Sequence, residues 1–151
     1  MSVFTKLNHK DQDPIVVLDA PESFEPEVAT LDRVTVHRSF ADAGMVDFAI
    51  GFGTTLDKVE AFAAGVKQHT AGDAVVWFAY PKTSSKRYTC EFNRDTGWES
   101  LGTAGFEPVR QVAIDEDWSA LRFRRVEFIK TMTRDSSGAL TEAGKRRTRD
   151  H

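Results

Sequence analysis

A chain of 151 residues, 40% hydrophobic and 28% charged, is long enough to bury one core without metal or disulfide staples, which excludes a disordered or staple-dependent chain. Its formal charge of −3 is uneven: residues 131–151 hold five basic and three acidic side chains, leaving 15 basic against 20 acidic in residues 1–130. An acidic body argues against a general grip on nucleic acid, where phosphate neutralisation dominates binding.

Cys90 stands alone, so no intramolecular disulfide forms, and a reducing, cytoplasmic compartment is expected. The opening MSVFTKLNHK has no apolar signal-peptide core, and no apolar run approaches the ~20 residues of a spanning helix. No membrane partner is expected.

In chain order, Val3, Phe4 and Leu7 suit one turn packed on a sheet. Ile15–Leu18 predicts a buried strand, closed by Asp19-Ala20-Pro21 because proline has no N–H and restricts the residue before it. Glu22 to Leu31 predicts a short helix interrupted by Pro26. Val34–His37 predicts an edge-like strand. Met45–Ile50 predicts a third strand, with Asp47 set in it, running into Gly51-Phe52-Gly53-Thr54-Thr55. Thr54 with Asp57 fits a capping box, and Leu56, Val59, Phe62, Ala63 and Val66 make one apolar helix face. Gly72 is the expected C-terminal cap.

The next segment organises the rest. Ala74–Tyr80 is a continuous apolar run, β-branched and aromatic, as a strand buried on both faces requires. Helices must cover both faces of its sheet, and the basic loop at its end, Pro81–Arg87, lies where open α/β sheets bind ligands. Thr96-Gly97-Trp98-Glu99 predicts a second capped helix that Gly105 ends. Val109–Ile114 and Ala120–Ile129 flank the polar Asp115-Glu116-Asp117 and predict an antiparallel hairpin. Residues 1–130 make one domain, and 131–151, aperiodic and polar, read as a disordered tail.

Two places suit an anionic ligand. Gly51, Gly53 and Thr54 sit before a helix N-terminus, whose N–H groups can hold a phosphate or carboxylate; the simpler reading is a tight turn and a cap. Lys82, Ser84 and Ser85 offer charge and hydroxyls at the crevice end of the long strand, where a solvated basic loop is the alternative. Tyr80 ends that strand and can point into the crevice, whereas Trp98 and Trp118 suit core packing first, with a stacking surface or a dimer contact as the alternatives. Asp115-Glu116-Asp117 reads as a solvated turn, the four histidines show no ligand spacing, and neither a nucleophile elbow nor a base for Cys90 is present. No catalytic residue, metal or cofactor is assigned. Arg110, Arg122 and Arg124 are expected to pair with carboxylates of neighbouring elements.

The three early strands, the strand ending AYPKTSS, the helix ending GF and the WSALRFRRVE strand resemble a class I methyltransferase Rossmann-like fold over roughly Lys6 to Lys130. More narrowly, LDAPESF, AVVWFAYPK with Thr83-Ser84-Ser85, and AIDEDWSALRFRR resemble a small family of bacterial single-domain, methyltransferase-like proteins of unknown function. The resemblance implies a three-layer α/β sandwich with a mostly parallel six-stranded sheet, order 2-1-3-4-6-5, last strand antiparallel. It also implies a glycine-rich turn after the first strand and an acidic residue after the second to hold ribose hydroxyls. Here those places read Asp19-Ala20-Pro21-Glu22-Ser23 and His37-Arg38-Ser39. The expectation is a non-catalytic module binding a small anionic ligand or a protein partner in a crevice of Ala20–Ser23, Gly51–Thr55 and Lys82–Ser85. The alternatives are an S-adenosylmethionine-dependent methyltransferase with an atypical cofactor site and a structural homodimer.

Overall fold

Apolar runs long enough for burial on both faces belong in the middle of a sheet, and the computed structural model, which describes residues 3–92 and 96–129, puts them there. In chain order the elements are α1 (Val3–Lys6), β1 (Ile15–Leu18), a 3-10 turn (Glu22–Phe24) with α2 (Glu25–Val28), β2 (Val36–His37) and β3 (Phe48–Phe52). Then come α3 (Leu56–His69), β4 (Val75–Pro81), α4 (Glu99–Thr103), β5 (Phe106–Ala113) and β6 (Trp118–Arg125). The six strands form one sheet in the order β2-β1-β3-β4-β6-β5. The first four run parallel, and β6 is antiparallel to both β4 and β5.

Side chains alternate across the sheet, so each central strand feeds two cores. Val76, Phe78 and Tyr80 of β4 pack under α3 and α4 with Phe62, Val66 and Leu101. Val75, Trp77 and Ala79 face the other way, under α1, Phe24 and Val28. All seven residues of β4 are buried, as the apolar run requires. The result is a three-layer α/β sandwich. No helix among the described residues is long and apolar enough to cross a membrane.

Boundaries moved where tertiary contacts outbid local pattern. The second strand shrinks to Val36–His37 because the Asp13 side chain takes the Thr35 N–H at 2.7 Å. The third starts three residues late: Val46 N–H goes to His69 O, and pairing with β4 begins at Phe48. The α3 cap is Thr55, not Thr54; its side chain accepts from Lys58 N–H at 3.4 Å. Leu56, expected on the apolar face, is exposed in the first turn. At the other end Thr70 is the cap, and Gly72 (φ +62°) turns the chain two residues later. Helix α4 starts at Glu99 without a side-chain cap from Trp98. Strand β5 begins at Phe106 and carries a bulge between Pro108 and Arg110. Strand β6 starts at Trp118 and gives way after Arg125 to a 3-10 turn, Val126–Phe128. The tail expected over 131–151 lies outside the described residues.

Candidate functional site

The sheet grows from β1 outward to β2, then reverses to place β3 on the other side of β1. At such a reversal the turns leaving the two strands diverge, and a crevice opens beyond their carboxyl ends. A cleft of about 310 Å³ lies there. Asp19, Pro21 and Glu22 line it from the β1 side, Phe52–Thr55 and Lys58 from the β3–α3 side. Tyr88 and Trp118 complete the wall, brought in by the long β4–α4 loop and the start of β6.

The turn after β1 lacks glycine, and a non-glycine residue takes the left-handed conformation in it. Asp19 itself adopts φ +57°, the left-handed conformation that glycine enters freely and Asp or Asn tolerates best among the rest. Its carboxylate meets Lys58 Nζ at 3.2 Å across the cleft, with both side chains about half exposed. The aromatic wall is tight: Trp118 lies 4.9 Å from Tyr88 and 5.4 Å from Phe52 between ring centroids. Trp118 is almost wholly buried, and its Nε1 has no hydrogen-bond partner.

Two of the donors at the α3 N-terminus, the Leu56 and Lys58 N–H groups, are already taken. Leu56 N–H donates to Glu91 Oε2 at 3.2 Å, and Glu91 N–H returns a bond to Thr54 O at 2.9 Å. Thr55 takes the Lys58 N–H. The chain therefore supplies its own carboxylate there. Gly51 and Gly53 answer to packing: a β-carbon at Gly51 would sit 2.5 Å from the Phe62 ring, and one at Gly53 would sit 2.7 Å from Lys58 Cβ.

Of the residues expected from sequence, Asp19, Gly53 and Thr54 line the cleft, while Gly51 is buried one step behind it. Tyr80 points the other way, into the core under α4, 5.5 Å from the Trp98 ring, because alternation along β4 sends it to that face. Lys82, Ser84 and Ser85 are not among the lining residues. Their loop folds onto the hairpin turn instead: Lys82 N–H donates to Asp117 O at 2.8 Å, and Ser85 Oγ donates to Asp117 Oδ1 at 2.9 Å. What this loop gives the cleft is Tyr88. Lys58 and Tyr88 escaped sequence reasoning, whereas Trp118, weighed there as a stacking surface against core packing, does line the cleft while staying almost wholly buried. Lys58 was findable, one turn into a helix that starts at the crevice; the two aromatics arrive from distant segments.

Arg38, at the end of β2 where the resemblance implies an acid, forms a two-pronged pair with Glu25 at 2.8 and 2.7 Å. Those bonds hold the Glu25 carboxyl below its ordinary range and raise the guanidinium above its own. Burial raises the Cys90 thiol, and no group of three metal-ligating side chains occurs among the described residues. Asp115 is a turn residue, its Oδ1 accepting from Asp117 and Trp118 N–H.

No protein-family model and no curated protein sequence matches this chain. Solved structures do. The N-methyltransferase NodS of Bradyrhizobium japonicum aligns at 11% identity over 82% of this chain and 91% of its own, with a TM-score of 0.51. A SAM-dependent methyltransferase of Aquifex aeolicus aligns at 15% identity over 82% and 88%, with a TM-score of 0.52. Such identities carry the architecture alone: the chain has the Rossmann-like fold of class I methyltransferases.

Proposed function

We propose that this cleft seats an S-adenosylmethionine-type ligand and that the protein is a methyltransferase with an atypical cofactor site. The observation that carries the reading is the cleft's position at the sheet's reversal point, combined with an aromatic wall facing two carboxylates.

The residues fit such a ligand. A nucleoside base needs an apolar wall, which half-buried Tyr88 provides, with the largely buried Trp118 and Phe52 rings packed at steep angles beside it. Ribose hydroxyls need acceptors, which Asp19 and Glu22 bring from the β1 turn. The ligand's carboxylate needs a cation, and Lys58 is at hand. The Asp19–Lys58 pair is half exposed, so it is worth at most about 1 kcal/mol, and a ligand that satisfies both partners displaces it at little cost. Bound S-adenosylmethionine supplies a sulfonium methyl group. The chain's part is to hold the nucleoside, orient the sulfonium and exclude water on the Trp118 side.

A second reading, a non-catalytic ligand-binding module in the same cleft, draws on the self-capped α3 N-terminus and on Arg38 standing where an acid is implied. One experiment separates the two. S-adenosylhomocysteine at about a hundred times its dissociation constant should stabilise the fold by about 2.7 kcal/mol and raise the melting temperature accordingly. Asp19→Ala should lose most of that rise. Methyl transfer from labelled S-adenosylmethionine to any acceptor, lost in the same variant, establishes the enzyme. A shift without transfer leaves the binding module, and no shift for either compound overturns the cleft reading.

A further inference from the structure

The sheet face under α1 carries a second charged feature, remote from the cleft. Arg110 of β5 and Arg122 of β6 are direct cross-strand partners on this face. Like charges placed opposite each other in a ladder repel. Both guanidinium groups donate to one neutral oxygen, Asn8 Oδ1, at 3.1 and 3.3 Å. Arg110 also reaches Lys6 O at 3.5 Å, and Lys6 Nζ is anchored on Ala113 O at 2.8 Å beside them.

No carboxylate pairs with either arginine among the described residues. The nearby Asp73 is already committed to Arg124, in a two-pronged pair at 2.9 and 2.6 Å. Arg122 is only partly exposed, and its Nε is buried without a partner, an arrangement that native proteins seldom leave unexplained. Burial, then the charge of Arg124, pull the Arg122 guanidinium below its ordinary value; Asp73 partly offsets this and Arg110 adds to it.

Packing accounts for part of the arrangement. The Arg110 guanidinium lies 6.0 Å from the Trp77 ring, within reach of its face. That explains why one arginine lies there. It does not explain two, converging on an uncharged acceptor.

We propose that Arg110 and Arg122, with Asn8 between them, form a binding site for a small oxyanion, a phosphate or a carboxylate. Either group accepts from two guanidinium forks at once and removes the repulsion between them.

The test is the melting temperature of the full chain in phosphate, in malonate and in chloride at equal ionic strength. Because such anions also stabilise proteins non-specifically, variants decide the outcome. Arg110→Gln alters an exposed side chain, and Asn8→Asp places a carboxylate between the two arginines. The expected result is an extra rise in phosphate or malonate over chloride for the wild type, absent in Arg110→Gln. Asn8→Asp should melt higher than the wild type in chloride and gain nothing further from the oxyanion. A rise in phosphate alone assigns a phosphate site, in malonate alone a carboxylate site, and in both a general oxyanion site. No rise over chloride in the wild type, or a rise that persists in both variants, overturns the proposal.

Discussion

Gly65 lies inside α3, where glycine costs about 1 kcal/mol relative to alanine, so a purely local argument favours replacing it. Its surroundings argue the reverse. A β-carbon at this position would run into the ring of Phe40, which is itself packed against Phe62 and stacked on His69. Overpacking of that kind costs typically about 1–3 kcal/mol, which exceeds the gain in helix propensity. Gly65→Ala should therefore lower the urea midpoint; an unchanged or higher midpoint would show that the Phe40 turn yields freely. The same steric logic limited what single residues disclosed about the site. Gly51 and Gly53 have the spacing of a phosphate loop, but their neighbours Phe62 and Lys58 are what require them. Asp19 was legible as the end of a strand; its left-handed φ, which keeps the turn without glycine, was not.

Helix α1 has four residues, far too few to hold itself in water. It persists because Val3, Phe4 and Leu7 are buried in the core under this face, and because Trp77 Nε1 donates to Leu7 O at 2.7 Å. Trp77→Phe removes that donor and leaves a buried carbonyl unpaired, at about 1–3 kcal/mol, with some lost packing in addition. Hydrogen exchange of residues 3–9 should accelerate more than that of β4. Equal acceleration throughout would place the role of Trp77 in the whole core rather than in docking α1. Elements defined by long apolar runs, β1 and β4, were legible because burial on both faces leaves no other composition. Boundaries were less so, since the Asp13 side chain, the His69 carbonyl and the Pro108 bulge intervene from other segments. The α3 cap slipped by one because Thr54 and Thr55 are chemically equal, and only the bond to Lys58 selects the second.

At the scale of the molecule, the strand–helix–strand crossover and the closing hairpin made the β3–β4 and β5–β6 neighbours legible, while the full strand order came with the methyltransferase resemblance. The cleft was half legible: its two near walls follow β1 and β3, while Tyr88 and Trp118 reach it only through folding. The same sheet order decides how the protein meets its own copies. An open sheet has two edges, and an exposed flat edge invites strand addition. On one side the edge is β2, with two residues in the ladder. On the other it is β5, eight residues long, but it bears Pro108, a bulge and, just after it, the exposed charge of Arg110. Proline removes a donor, the bulge twists the edge, and charges penalise a second strand. Neither edge then supports sheet extension. Light scattering during size-exclusion chromatography should return a mass near 16.9 kDa, unchanged as the loading concentration rises. A mass of twice that value, disrupted by a further charge at exposed Val109 in the bulge, would show that β5 pairs with its own copy despite these features.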